Sequence, residues 1–132
     1  LEGHSDSDAV AHALTDALLS AIGAPDLGTL FPASDQANKN ASSLVFLEKA
    51  VTLVQNEGFF LGNVSLIINA QETKLALLLD EMKKKIGESL TPISNQNTQI
   101  SITPKHGEGI GEIGAGKAIA VYATALILPI SN

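Results

Sequence analysis

The apolar run AIAVYATALILPI, from Ala118 to Ile130, constrains this chain more than any other segment. A helix needs ~20 apolar residues to cross a bilayer, and this run is shorter. It is rich in β-formers and meets Pro129 near its end, so it predicts a buried strand rather than a membrane span. Both of its faces are apolar. A strand of that kind must be covered on each side, which calls for a sheet with other elements packed against it.

Helical periodicity supplies those elements. Val10, Ala13, Leu14, Ala17, Leu18 and Ala21 share one face of a first helix, with N-cap candidates at Ser5, Asp6, Ser7 and Asp8 and a stop at Gly23. APDLGTLFPASDQANKN, punctuated by Pro25, Gly28 and Pro32, reads as a long irregular connection, and loops of that length in small domains are often functional. A second helix is predicted over 43–56 from Leu44, Leu47, Val51 and Val54, with Gly58 as its stop, and NVSLIINA follows as a strand. A third helix runs over 72–88 with Leu75, Leu78, Leu79, Met82 and Ile86 inward, and TQISITP alternates as another strand. The fold class expected is α/β (α+β), a mixed sheet with helices packed on one face. Three visible strands make a marginal sheet, so further cover is expected from a preceding strand region or from another subunit.

At 132 residues, 45% hydrophobic and 17% charged, the chain fits one globular domain spanning 1–132. Fourteen acidic against 8 basic residues give a net charge of −6, which disfavours a nucleic-acid partner. Lys83, Lys84 and Lys85, the only basic run, read as a solvated helix end. Without cysteine, any metal must be held by nitrogen and oxygen ligands. LEGHSDSD has neither the basic nor the apolar part of a signal peptide, and no membrane partner is expected.

His4 and His12 are two of 3 histidines, and both lie near the start of the first helix beside Asp6, Asp8 and Asp16. Asp8, His12 and Asp16 recur at i, i+4 along one helical edge, where a metal ligand and its orienting carboxylate could sit. The ordinary reading is a capping Asp8 and a partly buried His12, and from spacing alone that reading carries more weight. In KHGEGIGEIGAGK, Gly109, Gly111 and Gly114 spell GxGxxG and Gly111 to Lys117 spell GxxxxGK. A phosphate-binding P-loop needs Ser or Thr after the Lys and a helix beyond, whereas here Ala118 and a strand-like run follow. Glu108 could bind a hard cation bridging phosphates, or be an ordinary loop acid.

With those residues in view, the chain resembles the 2-C-methyl-D-erythritol 2,4-cyclodiphosphate synthase family nearly from end to end. HSDSDAVAHALTDALL is similar to the family's HSDGDVxxHAxxDALL, DLGTLFPASD to DIGxxFPDTD, and LGNVSLIINAQETKL to GNVDxxIxAQxPKL. KHGEGIGEIGAGKAIA matches TTTEGLGFxGRGEGIA mainly through Glu108 and its glycines. The resemblance implies an intramolecular reaction in the non-mevalonate isoprenoid pathway. The 2-phosphate of 4-diphosphocytidyl-2-C-methyl-D-erythritol 2-phosphate attacks the β-phosphorus, and CMP leaves.

The same resemblance implies roles for individual residues. His12 matches the helix-borne zinc ligand, and His4 the histidine that stabilises the transition state, with Ser5 beside it on the substrate. Asp26, Leu27, Gly28, Phe31, Pro32, Ser34 and Asp35 match the loop that meets erythritol and ribose. Ala70, Lys74, Leu75 and Ala76 match the cytosine pocket. Glu108 matches the ligand of a Mg2+ or Mn2+ ion between the phosphates, with Gly107 beside it, and Lys105 and the catalytic candidate His106 stand where the family has threonines. The family's other zinc ligands come from an N-terminal DxH that does not precede His4 here, so the chain is expected to begin after that segment. Ala33 replaces an aspartate, Thr73 a proline, and Ala115 a phosphate-associated arginine, for which Lys105 or Lys117 could substitute. A homotrimer with sheets facing a central axis, a bacterial cytoplasmic or a plastid location, and a small cytidine diphosphate substrate complete the expectation. The competing readings are a non-catalytic protein of the same fold, motivated by the missing DxH, and a P-loop hydrolase acting through Lys117.

Overall fold

The computed structural model describes residues 2–36, 38, 42–70, 75–105 and 119–131, with only the backbone described for 2–6, 70 and 75–77. Helix α1 (Glu2–Ala21) is followed by a single turn, α2 (Leu27–Leu30), then α3 (Ser43–Asn56) and strand β1 (Phe59–Ala70). Helix α4 (Leu75–Leu90) and a 3-10 turn (Thr91–Ile93) lead to β2 (Gln99–Lys105), and β3 (Ile119–Pro129) comes last. The sheet order is β2-β1-β3. β1 and β2 are parallel, joined by the α4 crossover that parallel strands require, and β3 returns antiparallel to β1.

The glycine stops fall where the sequence puts them. Gly23 and Gly58 have φ of 71° and 85°, the left-handed conformation that ends a helix without a Cβ penalty. Past Gly23, the Ala24 N–H turns back to the Leu19 carbonyl at 2.9 Å. Ser42 caps α3 by accepting from the Leu44 N–H at 3.1 Å.

Four details differ from the periodicity reading. α1 begins at Glu2, so Ser5 to Asp8 lie inside its opening turns, where acids still favour the positive end of the dipole. The 24–40 connection contains α2, because Asp26 caps a turn there. β1 starts at Phe59, several residues before Asn63, with a bulge between Leu61 and Asn63. A Cβ at Gly62 would lie 3.3 Å from the Leu128 side chain, so this glycine lets β3 close over the bulge. The lysine run is exposed but stands before the last turn of α4, where Lys85 pairs with Glu81 at 3.2 Å rather than with the helix end.

All the helices pack on one face of the sheet. The core joins Val10, Leu14 and Leu18 of α1, Leu47, Val51 and Val54 of α3, and Val64, Leu66 and Ile68 of β1, all fully or almost fully buried. The buried side of α1 extends to Ala11, Thr15 and Leu19, whereas Ala13 and Ala17 are only half-buried. On β3, residues 121 to 128 alternate: Val121, Ala123, Ala125 and Ile127 turn to the helices, and Tyr122, Leu126 and Leu128 turn outward and are 61%, 49% and 38% exposed. The outward face of the sheet thus exposes Ile67, Tyr122, Leu126 and Leu128 among the polar Ser65, Ser101, Thr103 and Thr124, and no described helix covers it. Among the described residues, no helix is long and apolar enough to cross a membrane.

Candidate active site

The edge of α1 that does not enter the core carries Asp8, His12 and Asp16. With Ala9 and Ala13 these residues line an open cleft of about 640 Å³, closed on the other side by Ser43 at the start of α3 and by Ile119 and Val121 of β3. The i, i+4 spacing therefore places the three polar residues together, and the half-buried Ala13 belongs to the cleft wall rather than to the core.

Asp16 joins this edge to the 26–35 loop. Its Oδ1 accepts from the Leu27 N–H at 2.8 Å, and its Oδ2 lies 3.5 Å from Nε2 of His12. Leu27 is buried beneath the loop, and Asp26 accepts from the Thr29 N–H at 3.0 Å. Hydrogen bonds from the Thr29 side chain and backbone hold the Asp26 carboxyl below the usual carboxylate range; desolvation opposes them, and the His12 ring adds a smaller downward pull. Two carboxylates thus satisfy first-turn N–H groups of α2 that no helical carbonyl can reach.

Further along, Phe31 stacks on Phe46 of α3 with ring centroids 5.4 Å apart and planes inclined by 23°. The Lys49 ammonium lies 5.2 Å from the Phe31 centroid and 5.9 Å from that of Phe46. The Pro32 carbonyl accepts from the Asp35 N–H at 3.0 Å and from the buried Asn38 side chain at 3.2 Å, which folds the loop back on itself. Pro32, Ser34 and Asp35 are exposed, and a Cβ at Gly28 would meet nothing within 4 Å, so the outer side of this stretch faces solvent.

The structure brings His12 near Asp26 and, through Asp16, near Leu27, and it places Ala70 at the end of β1 opposite Ile119. Lys105 ends β2 opposite Asn69, at the same end of the sheet. His4 and Ser5 lie in the first turns of α1, and Leu75 and Ala76 open α4; only their backbones are described. Lys74, His106, Gly107, Glu108, Ala115 and Lys117 lie outside the described residues. The stretch after Lys117 continues as strand β3, where a P-loop requires a helix.

Ser43, Ile119, Val121, Phe46 and Lys49 were not readable as site residues. Their periodicity signals only helix and strand, and their place at the site depends on packing between distant segments.

The sequence matches the YgbB family over residues 1–128. It is 43% identical over 128 residues to the 2-C-methyl-D-erythritol 2,4-cyclodiphosphate synthase of Shouchella clausii, covering 96% of this chain and 78% of that protein. This chain belongs to the 2-C-methyl-D-erythritol 2,4-cyclodiphosphate synthase family. The synthase of Gemmatimonas aurantiaca is 39% identical over 130 residues, 98% of this chain and 76% of that one. Among solved structures, the Plasmodium falciparum family member described as a CDP complex superposes with a TM-score of 0.78 at 33% identity, over 93% of this chain and 72% of that one. The mixed sheet with its helices is therefore the fold of the family.

Among the described residues no group of three or more His, Cys, Asp or Glu is arranged to hold an ion. His12 offers one ring nitrogen, while Asp16 is already engaged by Leu27. The described residues fit one corner of a zinc site, not a closed one.

Proposed function

We propose that this chain catalyses the cyclisation of 4-diphosphocytidyl-2-C-methyl-D-erythritol 2-phosphate to 2-C-methyl-D-erythritol 2,4-cyclodiphosphate with release of CMP. The observation that supports the reading is that Asp16, on the same edge of α1 as His12, accepts from the Leu27 N–H of the Asp26–Asp35 loop, so two segments that match family motifs are neighbours.

The reaction is a phosphoryl transfer within one molecule. An oxygen of the 2-phosphate forms a bond to the β-phosphorus as the bond from that phosphorus to the CMP oxygen breaks, and CMP carries away the electron pair. Catalysis of this kind rests on alignment and charge neutralisation rather than on a covalent nucleophile. The 26–35 loop, fixed at Leu27 and Phe31, would orient the erythritol and ribose. Ala70, Lys74, Leu75 and Ala76 would read the cytosine, largely through backbone groups. His4, Ser5 and His106 would donate to the developing phosphate charge. Lys105, exposed at the end of β2, or Lys117 would take over phosphate binding from the arginine that Ala115 replaces.

Zinc held in part by His12, and Mg2+ or Mn2+ held by Glu108 beside Gly107, are proposals carried by the motif match; when bound, such ions neutralise phosphate charge. A homotrimer with sheets facing a central axis is supported by the exposed apolar side chains Ile67, Tyr122, Leu126 and Leu128, which share the outward face of the sheet with polar residues and would gain cover from a neighbouring copy. The compartment would be the bacterial cytoplasm or a plastid.

The test is CMP release by the full-length protein from the diphosphocytidyl substrate, in parallel with hydrolysis of ATP. CMP formation without ATP turnover is expected. A protein that binds CDP but releases no CMP would instead support a non-catalytic member of the fold.

A further inference from the structure

At one end of the sheet, Asn69, Lys105 and Ala120 form a row across the outward face. Val64, Leu66 and Ile68 of β1 are buried toward the helices, so Asn69 turns the other way, on the side of Ile67. The register sets Asn69 beside Lys105 of β2 and opposite Ala120 of β3. Ile100 and Ile102 pack against the core, so alternation puts Lys105 on the same outward face as Asn69. The Asn69 Oδ1 is buried, and nothing donates to it. A buried acceptor left in that condition is costly, and it calls for a donor. Lys105 beside it is exposed, and among the described residues no ion pair engages its ammonium.

We propose that Asn69 is a positioning residue for Lys105: its amide oxygen accepts one N–H of the Lys105 ammonium, and the other two face a phosphate of a nucleoside diphosphate at this end of the sheet. An ammonium carries three donors and no acceptor, so satisfying Asn69 still leaves two for phosphate oxygens. Holding the long side chain in advance also lowers the rotamer freedom it loses on binding. The motif GNVDxxIxAQ leaves the position of Asn69 open, and Lys105 stands where the family has a threonine, so the family pattern prescribes neither member of the pair. The proposal favours Lys105 over Lys117 as the phosphate ligand, and it rests on the synthase reading for its kinetic part alone. An asparagine satisfied by water would leave the affinity of Lys105 for phosphate indifferent to residue 69.

Calorimetric titration of the full-length protein with CDP, and with cytidine as the control that lacks phosphate, tests the pair. Lys105→Ala should weaken CDP binding about tenfold, and Asn69→Leu about fivefold. In the Lys105→Ala background, Asn69→Leu should change CDP affinity by less than about twofold, because the interaction it removes is already gone. Asn69→Ala removes the same oxygen without adding apolar bulk and should repeat the result. Cytidine affinity should stay within about twofold of wild type in every variant. In CMP release, Asn69→Leu should raise KM about fivefold and leave kcat within about twofold, as loss of a binding contact requires.

Additive losses in the double variant would overturn the pairing and assign the donor of Asn69 to water or to a neighbouring copy. Unchanged CDP affinity in Lys105→Ala, or a wild type that does not bind CDP, would overturn the phosphate role. Equal losses for CDP and cytidine in Asn69→Leu and Asn69→Ala would reduce residue 69 to a structural part and overturn the proposal as well. If the wild type binds CDP but releases no CMP, the synthase reading fails while the CDP cycle still decides the role of Asn69.

Discussion

Replacing Phe46 by Leu should loosen the 26–35 loop without unfolding the domain. Leucine keeps most of the apolar bulk on α3, so the loss is confined to what an aromatic ring provides. The stack on Phe31 at 5.4 Å and 23° is worth ~0.5–1.5 kcal/mol beyond its area. The Lys49 ammonium, 5.9 Å from the Phe46 centroid and itself exposed, adds ~0.5–1 kcal/mol. Together these give ~1–2.5 kcal/mol, and the lower half of that range is expected because both rings are only half-buried. Urea unfolding at fixed protomer concentration measures the cost, since any self-association would otherwise shift the midpoint. A double-mutant cycle of Phe31→Leu with Phe46→Leu isolates the stack. Additivity of the two changes to within about 0.3 kcal/mol would refute the claim that the rings stabilise the loop through each other.

Leu126→Lys on the bare sheet face should leave the circular dichroism of the chain unchanged while weakening self-association in light scattering; unaltered assembly would remove that face from the interface. Asp26 has a folded-state pKa below its ordinary value of 3.8, so the stability it contributes is present above that value and lost as pH falls through the lower, folded one. Asp26→Asn keeps an N-cap oxygen, so urea midpoints should match wild type near neutrality and fall less steeply below about pH 4. For the metal proposal, His12→Ala should lose zinc and CMP release together, whereas His4→Ala should lose turnover and retain zinc; elemental analysis showing stoichiometric zinc in His12→Ala would remove His12 from the ligand set.

What the sequence determined by itself is local. Gly23 and Gly58 end their helices because only a residue without Cβ adopts their φ cheaply, and that requirement travels with the residue. The spacing of Val10, Leu14 and Leu18 sets the buried stripe of α1, and the same period necessarily brings Asp8, His12 and Asp16 to one edge. Motif resemblance went further, naming the 26–35 loop as a companion of His12, but it could not say what joins them. Tertiary structure alone decided that the Leu27 N–H finds Asp16, that Phe31 lies on Phe46, and that Ser43, Ile119 and Val121 close the cleft. It likewise placed β3 beside β1 rather than β2, and so turned Tyr122, Leu126 and Leu128 out together on one bare face. Periodicity is a property of one element's backbone and is written residue by residue. Which edge of that element meets which other segment depends on the sheet order and on how three helices share one face, and a single chain of letters does not carry that balance of packing energies.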